Sequence, residues 1–180
     1  MAMATGIQFT ALALTGVALA ACTPGRINYI HVDSSYTPIQ YATIPYSRAM
    51  RADVSGNPFN MPQEAFNRLV NAAIQPPGVQ PTAASPYVIH FAFGNEATSI
   101  NYACNAVGQA GRGGGRITLT AAFCRGPGAA LTYLTGSVDD ITGPEDPRFT
   151  QFLRTIVARL FPSQTDDTRD NNRDCILPGC

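Results

Sequence analysis

Between Asp146 and Pro162 six apolar residues, Phe149, Phe152, Leu153, Ile156, Val157 and Leu160, recur at intervals of three and four. That repeat places side chains along one stripe of an α-helix. Asp146-Pro147 supplies a start signal and Pro162 a stop, while Arg148, Arg154 and Arg159 fall off the stripe. A helix with so continuous an aromatic and branched stripe is stable only against a second apolar surface. The remainder of the chain must provide that surface.

Two stretches have the alternation of half-buried strands. Tyr87, Ile89, Phe91 and Phe93 share one face against Val88, His90 and Ala92, and Ile117, Leu119, Ala121 and Phe123 share one face against Thr118, Thr120 and Ala122. Arg125-Gly126-Pro127-Gly128 then turns the chain into Ala130 to Val138, which predicts a hairpin. Ile27 to Val32 and Ile39 to Ile44, rich in Ile, Tyr and Thr, read as two further short strands. The turn formers from Asp53 to Asn60 lead into a second helix, capped by Asn60, with Pro62 in its first turn and Gln63 three residues on. It runs to about Ile74, with Phe66, Leu69, Val70 and Ala73 as its apolar stripe and Gln63, Asn67 and Asn71 facing elsewhere. Gly94 to Gly115 has no pattern and reads as a long loop. Strands cluster while helices come singly, so the expected fold class is α+β: a mostly antiparallel sheet with two helices packed on one face.

Charge removes several functions. The chain has 180 residues, enough for one domain, and its 12 basic residues are all Arg and balance 12 acids. No bulk field attracts nucleic acid, and none is expected as a partner. The absence of Lys excludes a Walker lysine, a Schiff base and a Ser-Lys dyad, and only His31 and His90 offer imidazole chemistry.

The apolar run Ile7 to Ala21 is fifteen residues long, short for a bilayer span and suited to a signal-peptide core. By itself it also fits an ordinary secretory signal or a buried helix. Its ending, Leu19-Ala20-Ala21-Cys22, followed by the turn Thr23-Pro24-Gly25, resembles the lipobox of bacterial lipoproteins. The resemblance implies that residues 1–21 are a lipoprotein signal peptide and that Cys22 becomes the acylated first residue, anchoring the protein to the bilayer on its periplasm-facing side. Thr23, standing where lipoproteins retained in the inner membrane often carry Asp, implies the outer membrane rather than the inner. The first strand-like run begins near Asn28, and five or six extended residues reach only about 20 Å, so the domain should sit close to the bilayer. On this reading 22–162 is a single α+β domain and 163–180 a flexible polar tail, almost without apolar residues from Ser163 to Asp174.

With Cys22 spent on lipid, four cysteines remain, and an oxidising periplasm permits three pairings. Cys104–Cys124 and Cys175–Cys180 are the expected pair. The first pins a loop to the end of a strand, and the second flanks Ile176-Leu177-Pro178-Gly179, whose Pro-Gly is a turn signal. The spacings suit no metal site, and neither a metal nor another cofactor is expected.

Other candidates for chemistry read better as structure. The glycines from Gly108 to Gly115, with Arg112 and Arg116, could cradle a phosphate, but the segment lacks the Gly-Lys-Ser/Thr of a P-loop and is too short for an RGG-type nucleic-acid segment. Asp139-Asp140 and Glu145-Asp146 stand at a turn and a helix start, where acids belong without catalysis or calcium binding. His90 is expected as a hydrogen-bonded structural residue. His31 with Asp33 forms a potential pair that has no nucleophile elbow to serve. Tyr29, Tyr36, Tyr41 and Tyr46, concentrated near Cys22, suit a bilayer interface or a membrane-embedded partner. The segment Tyr87 to Pro162 also resembles small bacterial lipoproteins built from a domain of unknown function, which transfers no catalytic residue. The expected function is therefore a binding, accessory or scaffold role for a lipid-anchored lipoprotein in an envelope assembly, with an envelope protein as partner and without enzymatic activity. The alternative is binding of a small envelope ligand, a glycan or lipid, between the sheet and the loop around Cys104.

Overall fold

The structure, a computed structural model, describes residues 25–79, 87–97, 99–109, 115–125, 128 and 130–165. Its elements in chain order are β1 (Arg26–Val32), α1 (Pro38–Tyr41), α2 (Ile44–Ser47), β2 (Arg51–Ser55), α3 (Gln63–Ile74), β3 (Val88–Phe93), α4 (Ile100–Ala103), β4 (Ile117–Cys124), β5 (Ala130–Val138) and α5 (Pro147–Leu160). The strands form one sheet in the order β1-β5-β4-β3-β2. Every neighbouring pair is antiparallel except β2 with β3, which is parallel. The class is α+β, with a mostly antiparallel sheet.

The two long helices lie together on one face because their stripes and the sheet residues require the same shelter. Ile89, Phe91, Phe93, Leu119, Ala121 and Leu134 are fully buried against Phe66, Val70, Phe149, Phe152, Leu153 and Ile156. The Phe66 ring lies 4.9 Å from Phe93, and both stand near 6 Å from Phe149, so one aromatic cluster joins α3, α5 and the sheet. Gly136 lets α5 approach β5: a Cβ there would press on the Ile156 side chain. Asp146 caps α5 through the Arg148 amide at 2.9 Å, and Thr132 in β5 donates to the Leu160 carbonyl at 2.6 Å, so the helix is held at both ends.

Several local expectations are corrected. Ile39 to Ile44 is not a strand: Pro38 starts α1 and Pro45 lies in the first turn of α2, where a missing N–H is harmless, whereas Pro45 would break a ladder. The turn-like Asp53 belongs to β2, where Ala52 and Val54 turn inward and the exposed pair Arg51 and Asp53 outward. Pairing with β3 overrides the polar composition. Asn60 does not cap α3. The N-cap is Pro62, and the neighbouring turn is held by buried Asn57, which accepts from Phe59 N–H at 2.9 Å and donates to the Met61 carbonyl at 2.7 Å. The expected loop 94–115 contains α4 and covers the second face of the sheet, where Ala103 packs with Ala122, Ala130 and Tyr133.

Candidate functional site

The Cys104–Cys124 disulfide is present, joining the end of α4 to the last residue of β4 across a Cα separation of 6.0 Å. Cys22, the signal segment 1–21, the Cys175–Cys180 pair and the tail beyond Thr165 lie outside the described residues. So does Arg112, in the glycine-rich segment. Arg116 at its end is engaged in the fold, donating to Ser137 at 2.8 Å and facing Asp139 at 3.8 Å.

The segment around Cys104 lies directly on the sheet. His90 Nε2 donates to the Ala106 carbonyl at 2.6 Å, Thr120 takes the Ala97 amide at 2.7 Å and donates to the Asn95 carbonyl at 2.9 Å, and Ser55 accepts the Gly108 amide at 2.9 Å. A side chain at Gly108 would run into the Ser55 backbone. The segment expected to border a small-ligand groove is thus bonded to the sheet at Ala97, Ala106 and Gly108, and His90 is hydrogen-bonded, as the sequence led one to expect. Accepting His90's proton, the Ala106 carbonyl fixes the Nε2–H tautomer.

The carboxylates are similarly employed. Asp146 is held well below the usual carboxylate range, first by the Arg148 side chain, then by the amides of Arg148 and Thr142. Asp139 faces Arg26 at 3.1 Å, and Arg148 donates to the Asp140 carbonyl. Asp33 accepts both the amide and hydroxyl of Ser35, at 2.8 and 2.6 Å, and those bonds lower its pKa more than nearby His31 does. The His31 ring instead packs 5.9 Å from Tyr133.

Tyrosines divide sharply. Tyr36 is buried, donates to the Pro162 carbonyl at 3.1 Å, and has its pKa raised by burial. Tyr41 packs between Tyr36 and Phe123 and accepts from Arg125 at 3.1 Å. Tyr36 is thus a core residue and Tyr41 a half-buried one packed against the core. Tyr46 remains 71% exposed, close in sequence to Ile39 at 92%.

Two clefts meet at Tyr46 and Ala158. One, of about 330 Å³, is bounded by Ile30, Ala42, Tyr46, Arg159 and Phe161. The other, of about 180 Å³, runs past Pro45 to Ile74 and Pro76-Pro77, with Arg154 beside it. Arg154 donates to the Ala73 carbonyl at 3.0 Å and so closes the end of α3, whereas Arg159 is exposed in the last turn of α5. Neither lining includes an acid. The signal for this surface, Ile30 with Tyr46 and Arg159, is scattered over 130 residues of sequence and has no local pattern.

Among the described residues no helix is long and apolar enough to cross a membrane. No family model and no curated protein matches the chain. Among solved structures, a methionine-substituted PelC dodecamer from Paraburkholderia phytofirmans is similar at TM-score 0.42 and 10% identity, covering 78% of this chain and 99% of that one. Another PelC dodecamer from the same organism gives TM-score 0.40 at 12% identity, with the same coverage.

Proposed function

We propose that the chain is a lipid-anchored envelope lipoprotein that works by binding, as an accessory or scaffold component of a membrane-associated assembly. The observation that carries this reading is Leu19-Ala20-Ala21-Cys22, standing directly before a domain whose first strand begins at Arg26. The four steps from Cys22 to Arg26 span at most about 14 Å, so an acylated Cys22 would hold the first residues of β1 near the bilayer. Thr23 favours the outer membrane, by the same resemblance. A binding role is supported by the employment of His90, Asp33, Asp139 and Asp146 in structural bonds, and by an exposed cleft. The alternative is a glycan or lipid ligand, held at the surface around Cys104 or in the clefts beside α5.

The intact mass of protein extracted from membranes tests the reading. A mass beginning at Cys22 plus acyl chains, rising by about four hydrogens on reduction, is expected if both disulfides form. An unlipidated mass with free thiols would overturn the anchor, the pairing and the envelope role together.

A further inference from the structure

The two edges of the sheet are finished in opposite ways. Along β2, side chains of α3 take the place of a sixth strand. Asn71 accepts the Ala52 amide at 2.8 Å and donates to the Ala52 carbonyl at 3.1 Å. Gln75 treats Met50 in the same manner, at 3.1 and 2.7 Å. An edge so covered has no backbone to offer at Met50 and Ala52.

Along β1 nothing comparable stands. The Asp33 amide donates to the Leu131 carbonyl at 2.8 Å, so in the alternating antiparallel ladder His31 also turns its backbone toward β5, while Ile30 and Val32 turn theirs outward. Among the described residues no strand is paired there. Natural edges are usually blunted by Lys, Pro or cover. β1 has neither Lys nor Pro; Arg26 and the register shift at Asn28 blunt its first residues, but from Tyr29 to Val32 its pairing is regular and Tyr29 and Ile30 are exposed.

The larger cleft lies beside this edge, on the helix face. Ile30 lines it together with Tyr46, Ala158 and Phe161, and Arg159, Ser163 and Gln164 make much of its lining polar. A strand laid along β1 would send every second side chain toward that cleft. Backbone bonds would supply affinity and the cleft selectivity, the division seen generally in strand addition.

We infer that the edge of β1 and the adjoining cleft form one strand-addition site for an extended segment of a partner protein, bearing an apolar side chain for the part of the cleft lined by Ile30 and Phe161 and a carboxylate for Arg159. The inference deepens the binding role proposed above and rests on it for the existence of a protein partner. A second copy of this chain fits less well: its β1 carries Arg26 and His31 but no acid, and would leave Arg159 unanswered.

The test is to pan a displayed library of random dodecapeptides against the full-length protein, then follow amide hydrogen exchange of β1 with the enriched peptide made synthetically. Enriched sequences should alternate and combine an apolar residue with Asp or Glu, and they should slow exchange at Ile30 and Val32. Arg159→Glu should weaken binding about tenfold or more, since a charge-assisted bond becomes a repulsion. Arg68→Glu, on exposed α3 surface, should not. N-methylation of the peptide's outward-pairing amides leaves the protein untouched and should cost at least as much. Failure to enrich, binders without an acid, or protection falling elsewhere would overturn the inference. So would Ile30 and Val32 amides already protected in the free protein, because the edge would then be held by a second copy or by residues 166–180. If the inference fails while crosslinking in membranes still recovers a protein partner, the binding role stands and this edge is not its site.

Discussion

Asp146 shows how much one side chain can be asked to do. It caps α5, pairs with Arg148 at 2.7 Å and gathers the Thr142 amide and hydroxyl, each at 3.2 Å. Its pKa is depressed in the folded chain, chiefly by the Arg148 side chain, so its stabilisation is present above the unfolded carboxylate value of about 3.9 and is lost as pH falls through the folded one. Urea midpoints measured from pH 7 to pH 2 should therefore decline below about pH 4, and the decline should be shallower in Asp146→Asn. Thr132 is a second such residue. Thr132→Val removes a buried donor at 2.6 Å and strands the Leu160 carbonyl at the end of α5, costing about 2 kcal/mol by urea unfolding. The acid was legible in the sequence, because Asp before Pro at the head of an amphipathic run is a helix start. The threonine was not, since its partner lies 28 residues away and nothing local marks it.

At the scale of elements, the long repeats were readable and the short ones were not. α5, β3 and β4 follow from periodicity because each turns a large apolar set toward the core between sheet and helices, whereas β5 follows from the turn formers after Arg125. α1 and α2 resemble strand in composition, yet their prolines suit helix starts and their tyrosines find partners only when the chain is folded. β2 is strand only because β3 lies beside it. Its edge cover invites a direct experiment. Replacing Asn71 and Gln75 together by Ala should leave Met50 and Ala52 unpaired, lower stability by about 2 to 4 kcal/mol, and raise light scattering at high protein concentration as a second open edge appears. The Cys104–Cys124 bridge closes a separation of 20 residues, and its reduction should cost about 3 kcal/mol. Exchange mass spectrometry should then show residues 95–109 opening first, because much of their remaining hold on the sheet is a small set of part-buried hydrogen bonds.

For the whole molecule, the path of β1 decides orientation. Six steps carry the chain about 20 Å from Arg26 to Val32. An anchor at Cys22 would hold the Arg26 end of the strand nearer the bilayer than the Val32 end, and Tyr46 shares a cleft with Ile30, midway along it. Tyr36 separates two explanations of the tyrosines. In a Cys22→Ser background, Tyr36→Ser should lower the urea midpoint by the equivalent of about 3 kcal/mol through loss of a buried ring, and should leave partition between membrane and soluble fractions unchanged. A change in partition without a loss of stability would favour the membrane-facing role that the sequence suggests.

What the sequence determined by itself were the features whose physics is local: the α5 stripe, the alternating strands and the α+β class; it left three cysteine pairings open, and the fold brings Cys104 to Cys124. Tertiary structure alone decided which polar residues are spent. His90, Asp33 and Asp139 are ordinary titratable groups in the sequence, and only packing shows each one held by a carbonyl, a turn or an arginine. It alone decided also that one sheet edge is closed by Asn71 and Gln75 while the other, among the described residues, carries no further strand and lies beside a cleft, because an edge is a relation among strands and helices distant in sequence. A backbone amide looks the same at every position of a chain until its neighbours are in place.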